Sequence, residues 1–258
     1  MASTRNVAGV FGGIAAVLLF YLVNPWVNPA VGSTINQLVT VGFWISFIVL
    51  LVLLFQERNQ PGGETIDIEG PAFTRFLFSN SNAGLFWLPI RLFVGFSWLE
   101  AGWHKFTGTG WIDGGAALAG YWKGAVAIPD PTQGRPAITY EWYRSFLQVL
   151  LDNGAEKWFA WVITFGEMAV GLGLIFGVLT GFAAFFGAFM NMSFLLAGSA
   201  STNPIMFSLA VGLILAWKVA GYYGVDRFIL PILGTPWAPG SVPAAGSSPG
   251  LRPSDQRA

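Results

Sequence analysis

Long apolar runs alternate with short polar breaks along this chain, and the length of the runs decides what they are. A hydrocarbon core about 30 Å thick takes about 20 apolar residues of helix to cross. Six stretches approach that length with few or no charges: residues 7–23, 38–55, 85–106, 158–179, 180–198 and 205–224. The pattern predicts an all-α, polytopic membrane helix bundle. The first two stretches hold no ionisable group and are joined by an uncharged Asn/Pro/Gly turn at 24–33, so residues 1–60 read as an N-terminal transmembrane hairpin. A linker at 61–84 follows, then a four-helix core over 85–235. The Pro/Ala/Gly/Ser-rich segment 236–258 has too little apolar surface to offset its ordering entropy and reads as a flexible tail. A cleaved signal peptide is the competing reading of the first span, since Arg5 precedes it and small residues follow near 30–33. Its length, and the second apolar span behind it, favour retention.

The segment 107–157 is unlike a linker, because it carries Trp111, Tyr121, Trp122, Tyr140, Trp142, Tyr143, Phe146 and Leu150. Its second half, TYEWYRSFLQVLLDNG, spaces apolar residues helically and ends on Gly154. An amphipathic helix lying on the membrane face or capping the bundle is expected there. Six spans put both termini on one side, which collects Arg5, Arg58, Arg75, Lys218, Arg227, Arg252 and Arg257. The opposite side receives Lys105, Lys123, Arg135, Arg144 and Lys157, nearly all within one long loop, where positive charge weighs less. Cytoplasmic termini in a prokaryotic cell membrane, with the linker cytoplasmic and the aromatic loop outside, are the expectation.

Composition agrees with the pattern. Of 258 residues 54% are hydrophobic and 10% charged, against about 25% charged in a soluble domain. Lys and Arg total 13, balancing 13 Asp and Glu, so no basic surface exists to track a phosphate backbone, and nucleic acid is not an expected partner. The absence of Cys excludes disulfides, iron–sulfur clusters, zinc-thiolate sites and sulfur transfer through the chain's own thiol.

Chemistry is expected where ionisable groups are expensive, within the spans. The third span holds Arg91, Glu100, His104 and Lys105, the fourth Glu167 and the fifth Asn191. Glu100 and His104 share one helical face, and Arg91 and Lys105 share another. At about 1.5 Å per residue Glu100 and Glu167 lie roughly 9 and 14 Å below the outer boundary, with Asn191 in the same zone and Arg91 several ångströms deeper. Arg91, Glu100, Glu167 and Asn191 are therefore expected to form one buried polar cluster. The plain alternatives are an Arg91–Glu167 ion pair that fixes helix packing and a Glu100–His104 pair that reaches into the headgroups. A lone His offers at most one axial ligand, which argues against haem. Gly173 and Gly177 form a small-xxx-small pair expected to serve helix packing.

Three runs, LPIRLFVGFSWLEAGWHKF, FGEMAVGLGLIFGVLTGFAAFFGAFMN and SLAVGLILAWKVAGYYGVDRF, carry a resemblance to the DoxX family of small four-helix membrane proteins. In that family an Arg opens the first core helix, a Gly-x-x-Lys-type ending closes it, a Glu precedes a Gly-rich second helix, and a Gly-x-Gly-like turn with Asp follows the last. Here these correspond to Arg91, Gly102 with Lys105, Glu167, and Gly221, Gly224 and Asp226. The resemblance covers about residues 85–230. It implies a link with quinone-reducing thiosulfate oxidation, as the large subunit of that oxidoreductase. The N-terminal hairpin and the aromatic loop are departures from the short family form.

Two functions follow as expectations. The first is a membrane-embedded, quinone-linked oxidoreductase subunit in which Glu100, His104 and Glu167 move protons. Arg91, Lys105, Asn191 and Trp103 would hold a quinone, beside Trp98 and the Phe-rich fifth span, and Asp226, Gly173 and Gly177 would be structural. Thiosulfate or another small reductant would arrive from outside, near Lys105 and His104. The second is a non-enzymatic accessory subunit packed against a larger respiratory or photosynthetic membrane complex, with the hairpin and outer loop as contact surfaces. A small-solute transporter fits less well, because no inverted repeat or broken-helix pair stands out.

Overall fold

The computed structural model describes residues 4–23, 34–57, 70–130, 132 and 134–235. Among them the chain is entirely helical. In chain order the helices are α1 (Thr4–Val23), α2 (Thr34–Glu57), α3 (Ala72–Ser79), α4 (Gly84–Thr107), α5 (Ala116–Val126), α6 (Glu141–Asp152), α7 (Glu156–Phe176), α8 (Thr180–Leu196), α9 (Asn203–Leu215), α10 (Trp217–Ala220) and α11 (Asp226–Ile232). The 24–33 turn and the 236–258 tail lie outside the described residues.

Two of these helices are long and apolar enough to cross a membrane by length and composition, with mean hydropathy 2.1 over Ile35–Leu53 and 1.8 over Glu156–Phe176. Large apolar side chains stand exposed on several others: Phe93 and Phe96 on α4, and Phe182, Phe185 and Phe189 on α8. Apolar surface on this scale is stable against hydrocarbon and unstable against water. It marks a membrane protein whose exposed apolar residues surround a packed interior with a few buried polar groups.

Glycine sets the tightest contact, the antiparallel crossing of α4 and α7. A Cβ added at Gly102 would lie 2.7 Å from Met168 Cγ and 2.9 Å from its amide nitrogen, and one at Gly171 would lie 2.6 Å from the amide nitrogen of Leu99. At Gly95 the corresponding neighbours are Ile175 and the carbonyl of Gly171. Backbone therefore meets backbone along the seam, which fixes its register. Helix α8 packs along α9, and α1 packs beside α2. Between α4, α7, α8 and the α9–α10 segment lies an apolar core built on Trp87, Val94, Trp98, Val170, Leu174 and Leu213.

Several elements differ from the sequence expectation. The last apolar stretch is not one helix. It breaks at Ala216 and stops after Ala220, where the Arg91 side chain takes the carbonyls of Ala220 and Tyr223 at 3.2 and 3.0 Å. The expected linker contains α3, whose Phe73 is exposed and whose Phe78 packs on Trp87. The aromatic loop holds α5 as well as the expected amphipathic α6. The apolar face of α6 presents Tyr143 and Leu147 to a second core shared with Leu118 and Trp122 of α5 and Ala160 of α7. The Tyr143 hydroxyl donates to the carbonyl of Ser193 on α8 at 2.8 Å, so α6 caps the helices.

The seam yields a direct prediction. Gly171→Ala forces its methyl into the backbone of α4, and overpacking of this kind costs about 1–3 kcal/mol. Gly9→Ala, at a position with no atom within 4 Å, is the control and gains helix propensity. Thermal unfolding in mild detergent is expected to show a lower Tm for Gly171→Ala only. Equal Tm values for the two variants would mean that α4 and α7 do not cross there.

Candidate functional site

Register determines which charges meet. Gly102 faces Thr164 and Met168, while Gly95 faces Gly171 and Ile175, so Arg91 falls opposite Gly177 and Glu167 falls opposite the turn that holds Ala101. Side chains on a helix lean toward its N-terminus, which carries Lys105 back toward Ala101. The Lys105 ammonium accordingly donates to Glu167 Oε2 at 2.7 Å. Glu167 is 1% exposed and Lys105 18%. The Lys105 ammonium also lies 5.1 Å from the ring centre of Trp111, a cation–π contact. The expected Arg91–Glu167 pair is not formed, because the two lie about three turns apart along the seam.

This ion pair borders a cavity of about 390 Å³ lined by Ser97, Trp98, Lys105, Trp111, Tyr121, Glu167, Asn191, Phe194, Ser199 and Asn203, among others. Three lining residues carry buried donor atoms without hydrogen-bond partners: Trp98 Nε1, the Tyr121 hydroxyl and Asn191 Nδ2. Burial pushes the Tyr121 phenol up, against a smaller opposing pull from Ser199, so it stays a neutral donor at ordinary pH. Orphaned buried donors are rare in native proteins. Trp98 Nε1 lies against Gly187 of α8, and the Tyr121 and Asn191 donors on the chamber wall form a site complementary to a ligand that presents oxygen acceptors.

The sequence-predicted residues divide between this chamber and two other places. Glu167, Lys105 and Asn191 line it. Glu100 and His104 do not. They sit on the opposite face of α4 with side chains 75% and 76% exposed, His104 Nε2 being 3.8 Å from Glu100 Oε1. Trp103 is also on that outer face, 53% exposed, against Phe106. The single cluster of Arg91, Glu100, Glu167 and Asn191 is therefore not present, because the two polar stripes of the helix point in opposite directions. Sequence reasoning missed Trp111, Tyr121, Ser199 and Asn203, which reach the chamber from segments outside the apolar stretches. The aromatic richness of 107–157 was the one available signal for the first two.

Arg91 belongs to a separate latch at the far end of the α4–α7 seam. Gly177 ends α7 in the left-handed region at φ 66°, and Leu179 follows at φ 47°, an unfavourable conformation for a non-glycine residue by about 1–2 kcal/mol. Asp226 stabilises it by accepting from the amides of Leu179 and Thr180 at 2.6 and 2.8 Å. In return the Asp226 amide donates to the carbonyl of Gly177 at 2.7 Å. Added Cβ atoms would lie 2.1 Å from Arg91 Nη1 at Gly177, 2.1 Å from Asp226 Oδ2 at Gly221, and 2.7 Å from Arg91 Nη1 at Gly224. Gly173 sits beside Ala183 of α8. The glycines, Arg91 and Asp226 thus tie α4, the α7–α8 turn and the α10–α11 segment together.

A helical membrane protein with a Lys–Glu pair beside a polar chamber and an Arg–Gly–Asp latch at the other end of the seam is the class these observations define. The DoxX family profile matches residues 86–200, and that stretch is a DoxX domain spanning α4 to α8. No curated protein and no solved structure matches the chain.

A double-mutant cycle tests the pairing. Lys105→Met leaves Glu167 buried without its cation, a change worth about 3–5 kcal/mol, and adding Glu167→Leu is expected to recover much of the loss. Arg91→Met combined with Glu167→Leu is expected to be additive, as separated sites are. Coupling of Glu167 to Arg91, in unfolding free energies measured in detergent, would overturn the assigned register.

Proposed function

We propose that this chain is a quinone-binding subunit of a membrane oxidoreductase, with the chamber between α4, α7 and α8 as the quinone-head site. The observation that supports this reading is the donor set. Lys105, Asn191 Nδ2 and the Tyr121 hydroxyl are hydrogen-bond donors, and a quinone head presents two carbonyl acceptors in an otherwise apolar ring. A quinone accepts two electrons and two protons, and becomes a quinol. Lys105 and Glu167 are the groups in the chamber able to pass protons, the carboxylate taking them up and the ammonium giving them. Asn191 and Tyr121 orient the head, and Trp98 with Phe194 encloses it. Electrons come from a separate donor chain. The DoxX resemblance supplies the donor class, thiosulfate or another small reductant.

In this reading the four-helix core consists of α4, α7, α8 and the α9–α10 segment, and α1 with α2 forms the transmembrane hairpin. The chain sits in a prokaryotic cell membrane with both termini cytoplasmic, so the α5–α6 end and the chamber face outward. The hairpin and the outer cap are the surfaces for a partner subunit.

Binding is read from quenching of tryptophan fluorescence by a tail-less benzoquinone added to the purified protein in mild detergent. Asn191→Leu and Lys105→Met are each expected to weaken it by about tenfold or more, the scale of one lost hydrogen bond to a buried or charged group. His104→Ala and Glu100→Gln, outside the chamber, are expected to bind as the unaltered chain does. Uniform affinity across all four variants, or no binding at all, would sink the reading. A stable complex with a larger assembly that lacks quinone would then favour the accessory-subunit function.

A further inference from the structure

Glu100 and His104 take no part in the chamber, and their depth in the molecule calls for a cause of its own. Gly102 of α4 faces Thr164 and Met168 of α7, and Gly95 faces Gly171 and Ile175, so Glu100 stands level with Met168. Helix α7 is one of the two helices long and apolar enough to cross a membrane. On α7 that level is about 18 Å from the end at Glu156 and about 12 Å from the end at Phe176, at 1.5 Å per residue. His104, one turn further along α4, is level with Thr164. Both side chains point out of the molecule, 75% and 76% exposed, on a face shared with the exposed Phe93, Phe96 and Trp103. The long stems of lysine and arginine carry a charge up to the headgroups, but the two-carbon stem of a glutamate spans neither distance. Ionisable groups at such depth face protein or a water-filled cavity and are paired there, so this face of α4 is one that a further protein surface covers.

The charges decide which surface. The hairpin of the same chain offers no counter-charge, since residues 7–23 and 38–55 hold no acidic or basic side chain. A second copy offers both signs. Glu100 and His104 lie one turn apart on one face, and at 3.8 Å they are beyond hydrogen-bonding distance of each other, so the acid keeps acceptors and the base a donor for a neighbour. A two-fold axis along the membrane normal sets α4 parallel to the α4 of a second copy. In such an isologous contact each residue meets the other's counterpart, so Glu100 of one copy meets His104 of the other, and the reverse. Phe93, Phe96, Glu100 and Trp103 are three, four and three residues apart, the seam spacing of parallel helix pairs, in which a single polar layer fixes the register.

We propose that the outward face of α4 is a homodimer interface, held in register within the membrane by two reciprocal Glu100–His104 pairs. The proposal goes beyond the quinone reading and does not rest on it, because the chamber lies on the other face of α4 and each copy keeps its own.

A charge exchange tests it. In mild detergent the full chain is expected to run as a dimer of the 27.8 kDa protein, its mass read by light scattering after size exclusion. E100H sets histidine against histidine, and H104E sets glutamate against glutamate. Each alone is expected to raise the dimer dissociation constant by about tenfold or more, the scale of one lost hydrogen bond to a charged group. Mixed, the two variants have no acid–base pair within either chain and both pairs across the interface, and they are expected to recover the original affinity as a one-to-one heterodimer. A Glu100–His104 contact confined to one chain cannot produce that recovery. Phe96→Cys, in a chain with no cysteine of its own, is expected to give a disulfide-linked dimer on oxidation in the membrane, and Phe182→Cys on α8 is not. This cross-link decides the case where detergent separates the copies or a charge variant fails to fold. A monomeric unaltered chain with no Phe96→Cys cross-link overturns the interface, as does a dimer indifferent to both charge variants or a loss that mixing leaves unrepaired. Capture of a different chain on this face, lost in both charge variants, would assign the face to a heterologous partner and overturn the homodimer.

Discussion

The backbone-to-backbone crossing of α4 and α7 is the contact on which the rest of the structure depends. Residues 95, 102 and 171 are glycines, and a Cβ at any of them would overlap the facing helix. Association in lipid gains nothing from burying apolar surface, since lipid tails are as apolar as the side chains they replace. It relies on close packing and on polar contacts between helices. The crossing provides both. It brings the axes close enough for dispersion along the seam, and in fixing the register it sets Lys105 within reach of Glu167 and Arg91 against Gly177. A shift by one helical turn, about 5.4 Å, would leave both cations without their partners in a low-dielectric interior.

Much of this was legible from the chain alone. Apolar length marked α1, α2, α4, α7 and α8, because residue count and bilayer thickness constrain each other. The helices α3 and α5 were not legible: eight and eleven residues long, they are stabilised by docking and not by any periodic pattern of their own. For the site, depth could be read from helical rise and direction could not. Two polar stripes on α4 were visible, and the inward one is the stripe that also carries Gly95, Trp98 and Gly102. Glycine on a polar stripe of a membrane helix signals close approach of a neighbour, and that signal would have separated Lys105 from His104. Nothing comparable announces Ser199 or Asn203, which owe their place in the chamber to the turn between α8 and α9.

The two polar groups differ in a way that separates architecture from ligand binding. The latch is packed to contact: glycines at 177, 221 and 224 make room for Arg91 and Asp226 and leave none over, the charges act on backbone groups that would otherwise be unsatisfied at helix ends, and Arg91 Nε and the Thr180 hydroxyl stay without a partner in a space no ligand can enter. The chamber is open. Its ion pair leans on one wall, and Asn191 Nδ2 and the Tyr121 hydroxyl beside it have no protein acceptor. A buried ion pair is weak evidence for stability, because well-packed apolar residues often do as well or better. Unused donors beside it add nothing to folding and are costly until a ligand accepts from them.

The identity of the cation matters to that argument. Lysine presents a compact ammonium with three donors on a flexible stem, whereas arginine presents a rigid planar fork suited to bidentate capture of a carboxylate. At position 91 the two terminal nitrogens of the fork span two carbonyls, those of Ala220 and Tyr223, and hold helix ends together. At position 105 the ammonium gives one short hydrogen bond to Glu167 and rests its charge near the Trp111 ring. Such an ammonium can add an oxygen of a ligand without releasing the carboxylate, and its flexible stem can follow that ligand as the chamber fills. The same helix thus carries a cation bound to helix-end carbonyls at one end and a cation paired with a buried carboxylate at the other, and the α4–α7 seam keeps them about 21 Å apart along the axis.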